Sequence, residues 1–249
     1  MRAPTETLHA FDRHAEGYAS AWGADPLAAA LRARVIALCL RFFPERGRVL
    51  DLGCGAGLDA AVLEGAGFRV TAVDASAGMV AQASRRATDV RQVDLGDLAP
   101  LHGDLPFDGA LSDFGALNCL PSLGGFSVSL ARLVRPGAFA VLVVINRWCP
   151  IEDAALLARG RRPRRGVATV TLEGHPVAVR YLTGGAVADA LPDFEEVHRE
   201  ALGVFVPPPD LGGRPGRRTA LEAHVAGWPL VRDLGDHTLV VLRRRAEPA

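Results

Sequence analysis

The run Val49-Leu50-Asp51-Leu52-Gly53-Cys54-Gly55-Ala56-Gly57 constrains this chain more than any other stretch. A short apolar strand ends in glycines at alternate positions, and a helical pattern at 58–63 follows directly. Glycines there permit a tight turn and let a ligand approach backbone N–H groups at a helix N-terminus. The loop alone does not choose the ligand. Gly55-Ala56-Gly57-Leu58-Asp59-Ala60 also fits the looser dinucleotide pattern G-x-G-x-x-A, with Asp74 at a suitable distance downstream.

The flanking pattern extends the alternation. Helices are predicted at 26–43, 58–63, 77–87 (capped by Ser76) and 126–133, and strands at 48–52, 69–73, 90–93, 107–111 and 138–145. Strands alternating with helices predict an α/β fold: a doubly wound, mostly parallel sheet with helices on both faces. The pattern changes after Asn146. A basic stretch at 159–165 precedes two β-like runs, 168–172 and 177–182, with Glu173-Gly174-His175 as the turn of a hairpin. A helix near 185–191, a strand near 195–206, a Pro-Pro-Pro break and a last strand at 237–243 complete the reading.

At 249 residues, the chain suits one domain with a sizeable core. Within it, 1–45 reads as an N-terminal helical cap or lid, 46–146 as the ligand-binding core, 147–182 as an inserted hairpin or lid, and 183–249 as the C-terminal part of the sheet. The segment after Asn146 carries too little hydrophobic content for a core of its own.

Composition narrows the chemistry. All 28 basic residues are arginine, which excludes Schiff-base and phosphate-loop lysine mechanisms. Net charge is +0, so no general attraction to nucleic acid or to an anionic membrane is expected. Aromatic residues make up 6%, with no stacking motif beside the arginines, which further argues against nucleic acid. Cys39, Cys54, Cys119 and Cys149 lack CxxC spacing and histidine pairs, so neither a disulfide framework nor a metal site is expected. The N-terminus lacks the apolar core of a signal peptide, and the longest apolar run, 138–145, is too short to cross a bilayer. A cytoplasmic setting is the expectation.

Charge then discriminates between ligands. Asp51 precedes the glycines, where a pyrophosphate would meet a carboxylate of like sign, whereas a cationic ligand with an amino-acid moiety would be favoured. Asp74 ends the next strand and can accept from two ribose hydroxyls. Asp94 follows the third strand; its carboxylate and the Leu95 N–H can read an adenine edge. Three acidic strand ends in order are far more specific than the glycines.

With these segments the chain resembles the class I S-adenosylmethionine-dependent methyltransferases, of the small-molecule type, over 8–146. The motifs are FDRHAEGY, VLDLGCGAGLDA, VTAVDASAGMV, VDLGDL, FDGALSDFGALNCL and LVRPGAFAVLVV. The resemblance implies a Rossmann-like fold in which the strand at 237–243 is inserted antiparallel. It implies S-adenosylmethionine as cofactor, with Asp51, Gly53, Cys54, Gly55 and Gly57 around its methionyl part and Asp74 and Ala75 at the ribose. Met79, Asp94 and Leu95 would then meet the adenine, and the backbone near Ser112 the amino group. Many relatives carry asparagine where this chain has Asp113.

Methyl transfer from a sulfonium is an in-line displacement, so positioning and exclusion of water dominate and no nucleophilic side chain is required. A base is needed only for a protonated acceptor. His14, Tyr18 and Asp113 are the catalytic candidates, with Phe11, Asn118, Trp148 and His175 also on the substrate side. The acceptor atom, whether O, N or C, stays open, as does oligomeric state. The arginines of 159–165 suggest an anionic small-molecule substrate, although a simply solvated basic loop is the favoured reading. Two other classes remain: a non-catalytic cofactor-binding scaffold, and a nicotinamide-dependent oxidoreductase.

Overall fold

The computed structural model describes residues 5–104, 106–163, 165–172, 174–208 and 211–246. Arg164, Glu173 and Pro209, which belong to the basic stretch, the hairpin turn and the proline break, lie outside them.

Two helices lead the chain, α1 (Thr5–Ala24) and α2 (Pro26–Phe42). Asp25 starts α2 by accepting from Ala28 N at 2.8 Å, and Pro26 occupies the first turn, where its missing N–H costs nothing. Then β1 (Arg48–Leu52), α3 (Leu58–Gly65), β2 (Arg69–Asp74), α4 (Ala77–Ala83), β3 (Asp89–Gln92), β4 (Phe107–Ser112), α5 (Gly124–Leu133) and β5 (Val134–Ile145) follow. After α6 (Pro150–Ala158) come the hairpin strands β6 (Val167–Leu172) and β7 (His175–Arg180). The chain closes with α7 (Gly184–Ala190), β8 (Phe194–Leu202), α8 (Arg217–Val225) and β9 (His237–Arg244).

The sheet has seven strands in the order β3-β2-β1-β4-β5-β9-β8. Strands β1 to β5 run parallel, and β9 is inserted antiparallel between β5 and β8. Strand order reverses at β1 and β4, which opens a crevice beyond their carboxyl ends. Side-chain alternation divides the core: Leu50 and Leu52 join one buried cluster, while Val49 joins the other, beneath α2 and α3. Asp51 shares the Val49 face by the same alternation.

Most expected elements appear within a few residues. Helix α4 ends at Ala83 instead of 87, because Arg85 and Arg86 already bond three residues back. Strand β5 starts at Val134 and continues through Pro136-Gly137, and α6 and α8 were not foreseen. His175 belongs to β7, opposite Leu172, and not to the turn. No described helix is long and apolar enough to cross a membrane.

The β6–β7 hairpin forms its own two-stranded sheet over the crevice. Val177, Val179 and Tyr181 bury against Ala10 of α1, with Phe11, Val170 and Leu172 packed beside them. Helix α1 is pinned in turn: Asp12 accepts from Ser76 Oγ at 2.6 Å and from Gly78 N at 3.0 Å. A Cβ at Gly78 would sit 2.8 Å from the Asp12 carbonyl, so only glycine lets α1 approach this closely.

Candidate functional site

A cavity of about 260 Å³ lies at the carboxyl ends of β1, β2 and β4, roofed by α1 and the hairpin. Among the expected site residues, Gly53, Cys54, Gly55, Asp74, Ala75, Met79, Asp94, Leu95, Tyr18 and Asp113 all line it. Asp51, Gly57, Ser112 and His14 do not.

The loop geometry explains the glycines. Gly53 has φ +78°, and a Cβ there would lie 2.3 Å from Ala116 Cβ; Gly57 has φ +76° and would meet Ala83 at 2.9 Å. These two are required by packing as well as by backbone conformation. Asp74 holds the loop from below, accepting from Gly55 N at 3.0 Å and Ser76 N at 2.9 Å. Each carboxylate oxygen has more than one lone pair, so acceptor capacity remains. Asp94 accepts from Gly96 N at 2.7 Å. Ser112 is fully buried and its hydroxyl donates to the Leu52 carbonyl at 2.8 Å.

Behind the loop lies a carboxylate cluster. Asp51 is 1% exposed, and neither of its carboxylate oxygens has a hydrogen-bond partner among the described residues. Burial, then the charges of Asp59 and Asp74, push its proton affinity well above the usual carboxylate range. Asp113 is raised likewise, by burial first and then by Asp59 and Asp51, and its Oδ2 is also unpartnered. Arg32 offsets part of this charge, but its guanidinium is committed to Asp59 through contacts of 2.8, 2.9 and 3.1 Å. Asp74 is raised by burial against the pull of its backbone donors. Four aspartates (Asp59, Asp74, Asp94 and Asp113) line the cavity, and no arginine or histidine does so among the described residues. This is a setting for a cationic ligand.

An aromatic row continues from the acids. His14 meets Tyr18 edge-on at 5.5 Å, Tyr18 stacks on Trp22 at 6.3 Å, and Trp22 meets Phe114 at 5.6 Å. Phe114 has φ +42°, a strained backbone for a bulky residue, directly after Asp113. Burial, then Asp113, push the Tyr18 phenol up, which keeps it protonated. Beyond this row the wall is apolar: Leu8, Phe11, Ile145, Val170, Val177 and Val179.

Other expectations fall outside the cavity. Asn118 is a buried clamp, with Nδ2 donating to the Ile145 and Arg180 carbonyls at 2.9 and 2.6 Å and Oδ1 accepting from Ile145 N at 2.9 Å. Trp148 is 44% exposed, and His175 does not line the cavity. Arg159, Arg161 and Arg162 face solvent, and Arg165 pairs with Asp153, so none of them reaches the cavity. All four thiols are pushed up by burial, Cys119 and Cys149 to about 12, which makes them poor nucleophiles. The described residues contain no group of side chains able to hold a metal ion.

Trp22, Asp59, Phe114 and the hairpin valines also line the cavity and were not expected from the sequence. The helical spacing of Tyr18 and Trp22 was available as a signal. The Arg32–Asp59 pair, 27 residues apart, left none.

A family model described as a methyltransferase domain matches residues 24–174. A demethylmenaquinone methyltransferase from Beutenbergia cavernae is 39% identical over 108 residues, covering 42% of this chain and 44% of that protein. A ubiquinone biosynthesis O-methyltransferase from Alkalilimnicola ehrlichii is 32% identical over 123 residues, covering 47% and 49%. The chain thus spans about half, or less, of the length of these curated relatives. Among solved structures, a possible histamine N-methyltransferase from Thermotoga maritima superposes with TM-score 0.64 at 16% identity, over 96% of this chain and 100% of that one. The 1,6-didemethyltoxoflavin-N1-methyltransferase of Burkholderia thailandensis superposes with TM-score 0.58 at 20% identity, over 99% and 92%. These likenesses establish a shared fold.

Proposed function

Because the chain belongs to the S-adenosylmethionine-dependent methyltransferases, we propose that it methylates a small, largely apolar acceptor held beneath α1 and the β6–β7 hairpin. One observation carries the reading: a single cavity joins the glycine loop and the acidic strand ends to a chamber walled by apolar side chains. The names of the matched relatives, which refer to demethylmenaquinone and to ubiquinone biosynthesis, agree with a ring-bearing apolar acceptor.

The residues suit the cofactor. The buried, unpartnered carboxylate of Asp51 and the acidic lining favour a ligand that carries an ammonium and a sulfonium but no phosphate. Gly53, Cys54 and Gly55 would support the methionyl part, with the backbone near Ser112 taking the amino group. Asp74 and Ala75 would hold the ribose, and Met79, Asp94 and Leu95 the adenine. When bound, S-adenosylmethionine supplies an activated methyl group with a good leaving group.

The chain's own work is positioning, desolvation and, for a hydroxyl acceptor, proton removal. Tyr18, Trp22 and Phe114 exclude water from the junction between the acids and the apolar chamber. Asp113 lines that junction, and burial raises its proton affinity, so once ionised beside the cationic cofactor it can take the proton of a hydroxyl acceptor. The region 1–45 then serves as cap and 147–182 as lid of one domain, with 183–249 completing the sheet. A lining without arginine or histidine among the described residues disfavours an anionic substrate.

Turnover with labelled S-adenosylmethionine across a panel of apolar phenols and quinols, against carboxylate-bearing analogues, tests the reading. Methylation of the apolar group is the expected outcome. Preference for the anionic analogues, or cofactor binding with no turnover on any acceptor, contradicts it.

A further inference from the structure

The chain is neutral in total, but its charge is unevenly spread. Two segments leave the sheet at its cavity end: 146–166, after β5, and 203–236, between β8 and β9. The Asn146 side chain ties them together, donating to the Trp148 carbonyl at 3.0 Å and the Asp233 carbonyl at 2.7 Å. The residue before it, Ile145, lines the cavity.

Residues Gly227-Trp228-Pro229-Leu230 form an exposed tip, with Trp228 59% and Leu230 87% exposed. Trp148 is also exposed, with the guanidinium groups of Arg147 and Arg165 at 5.6 and 4.5 Å from its ring centre. The described carboxylates of these segments are engaged. Asp153 pairs with Arg165 and Asp233 with Arg199, Asp236 Oδ2 lies 3.0 Å from His237 Nδ1, Glu222 accepts from Gly203 N and Val204 N, and Glu152 is buried. Arg147, Arg159, Arg161 and Arg162 face solvent, and no described carboxylate pairs with any of them.

We propose that this rim docks on an anionic lipid bilayer, with Trp228 and Leu230 entering the headgroup region and the four arginines lying against lipid phosphates. Exposed tryptophan and leucine on a proline turn, in a segment that Asn146 ties to one carrying unpaired cations, match the amphipathic profile of that interface. Nucleic acid would engage the arginines but would leave the Leu230 side chain in water. The overall neutrality that argued against a membrane surface averages this rim with an acidic cavity. Docking here brings the cavity, one residue away at Ile145, close to where an apolar acceptor partitions. That purpose rests on the proposed function, whereas the docking itself does not.

Flotation with vesicles of equal phosphatidylglycerol and phosphatidylcholine, with phosphatidylcholine alone, and with a short RNA as competitor tests the proposal. The protein should float with the anionic vesicles, stay behind with the neutral ones, and dissociate at high salt. Trp228→Ser combined with Leu230→Glu should weaken the association at least about tenfold, as should Arg161→Glu with Arg162→Glu, while S-adenosylmethionine affinity is unchanged. Absence of anionic-vesicle binding, indifference to both variants, or displacement by RNA at equal concentration overturns it. No acceptor or turnover enters this readout, so its failure leaves the proposed function standing, and the reverse also holds.

Discussion

Asp51 is almost completely buried, within the field of two other carboxylates, and this has a cost in the free protein. The folded state holds the Asp51 and Asp113 carboxyls protonated to higher pH than the unfolded chain does, so it binds more protons. Stability therefore falls as pH rises above the usual carboxylate range. Asp51→Asn should raise the stability of the ligand-free protein at neutral pH by about 1–3 kcal/mol and weaken S-adenosylmethionine binding, both readable by thermal unfolding with and without the cofactor. Gly53→Ala should act in the opposite sense. Its Cβ would press on Ala116 in a left-handed backbone, which costs about 1–3 kcal/mol in a denaturant titration. At this scale the strand-end aspartates were legible, because position after an apolar strand is itself a signal. Asp59 was not, since its importance comes from Arg32 on another helix.

Among the elements, the hairpin is seated by its apolar face on α1 and by the side chain of Asn118. Asn118 joins the end of β5 to the end of β7 through three hydrogen bonds. Asn118→Ala would strand these backbone groups, costing about 2–4 kcal/mol, and should hasten proteolysis within 166–180 while leaving cofactor affinity nearly unchanged. Equal loss of cofactor binding would show instead that the hairpin and the glycine loop form one unit. The strands of this hairpin could be read from the sequence, but their packing against α1 could not. Helix α8 escaped because its buried anchor is Glu222, a carboxylate serving backbone N–H groups, so hydrophobic periodicity has little to detect there. Strand β5 outran its reading because Pro136 and Gly137 lie at its exposed start, before the apolar run.

Across the whole molecule, the order of strands and the order of charges tell one story. Alternating strands and helices place three aspartates at one end of a parallel sheet, and the strand-order reversal at β1 and β4 makes that end a cavity. This architecture was visible in the sequence. The substrate chamber was not, because its walls come from α1, β5 and the hairpin, which meet only in three dimensions. Arg159, Arg161, Arg162 and Arg165, read first as a possible grip on an anionic substrate, lie outside the cavity. The central claim is that the acidic cavity is built for a cationic, phosphate-free cofactor. Calorimetric titration with S-adenosylmethionine, in buffers of different ionisation enthalpy and from mildly acidic to neutral pH, tests it most directly. Binding should release protons as Asp51 and Asp113 ionise, affinity should tighten as pH rises, and a nicotinamide dinucleotide should not compete. No binding, or pH-independent binding without proton release, would contradict the claim.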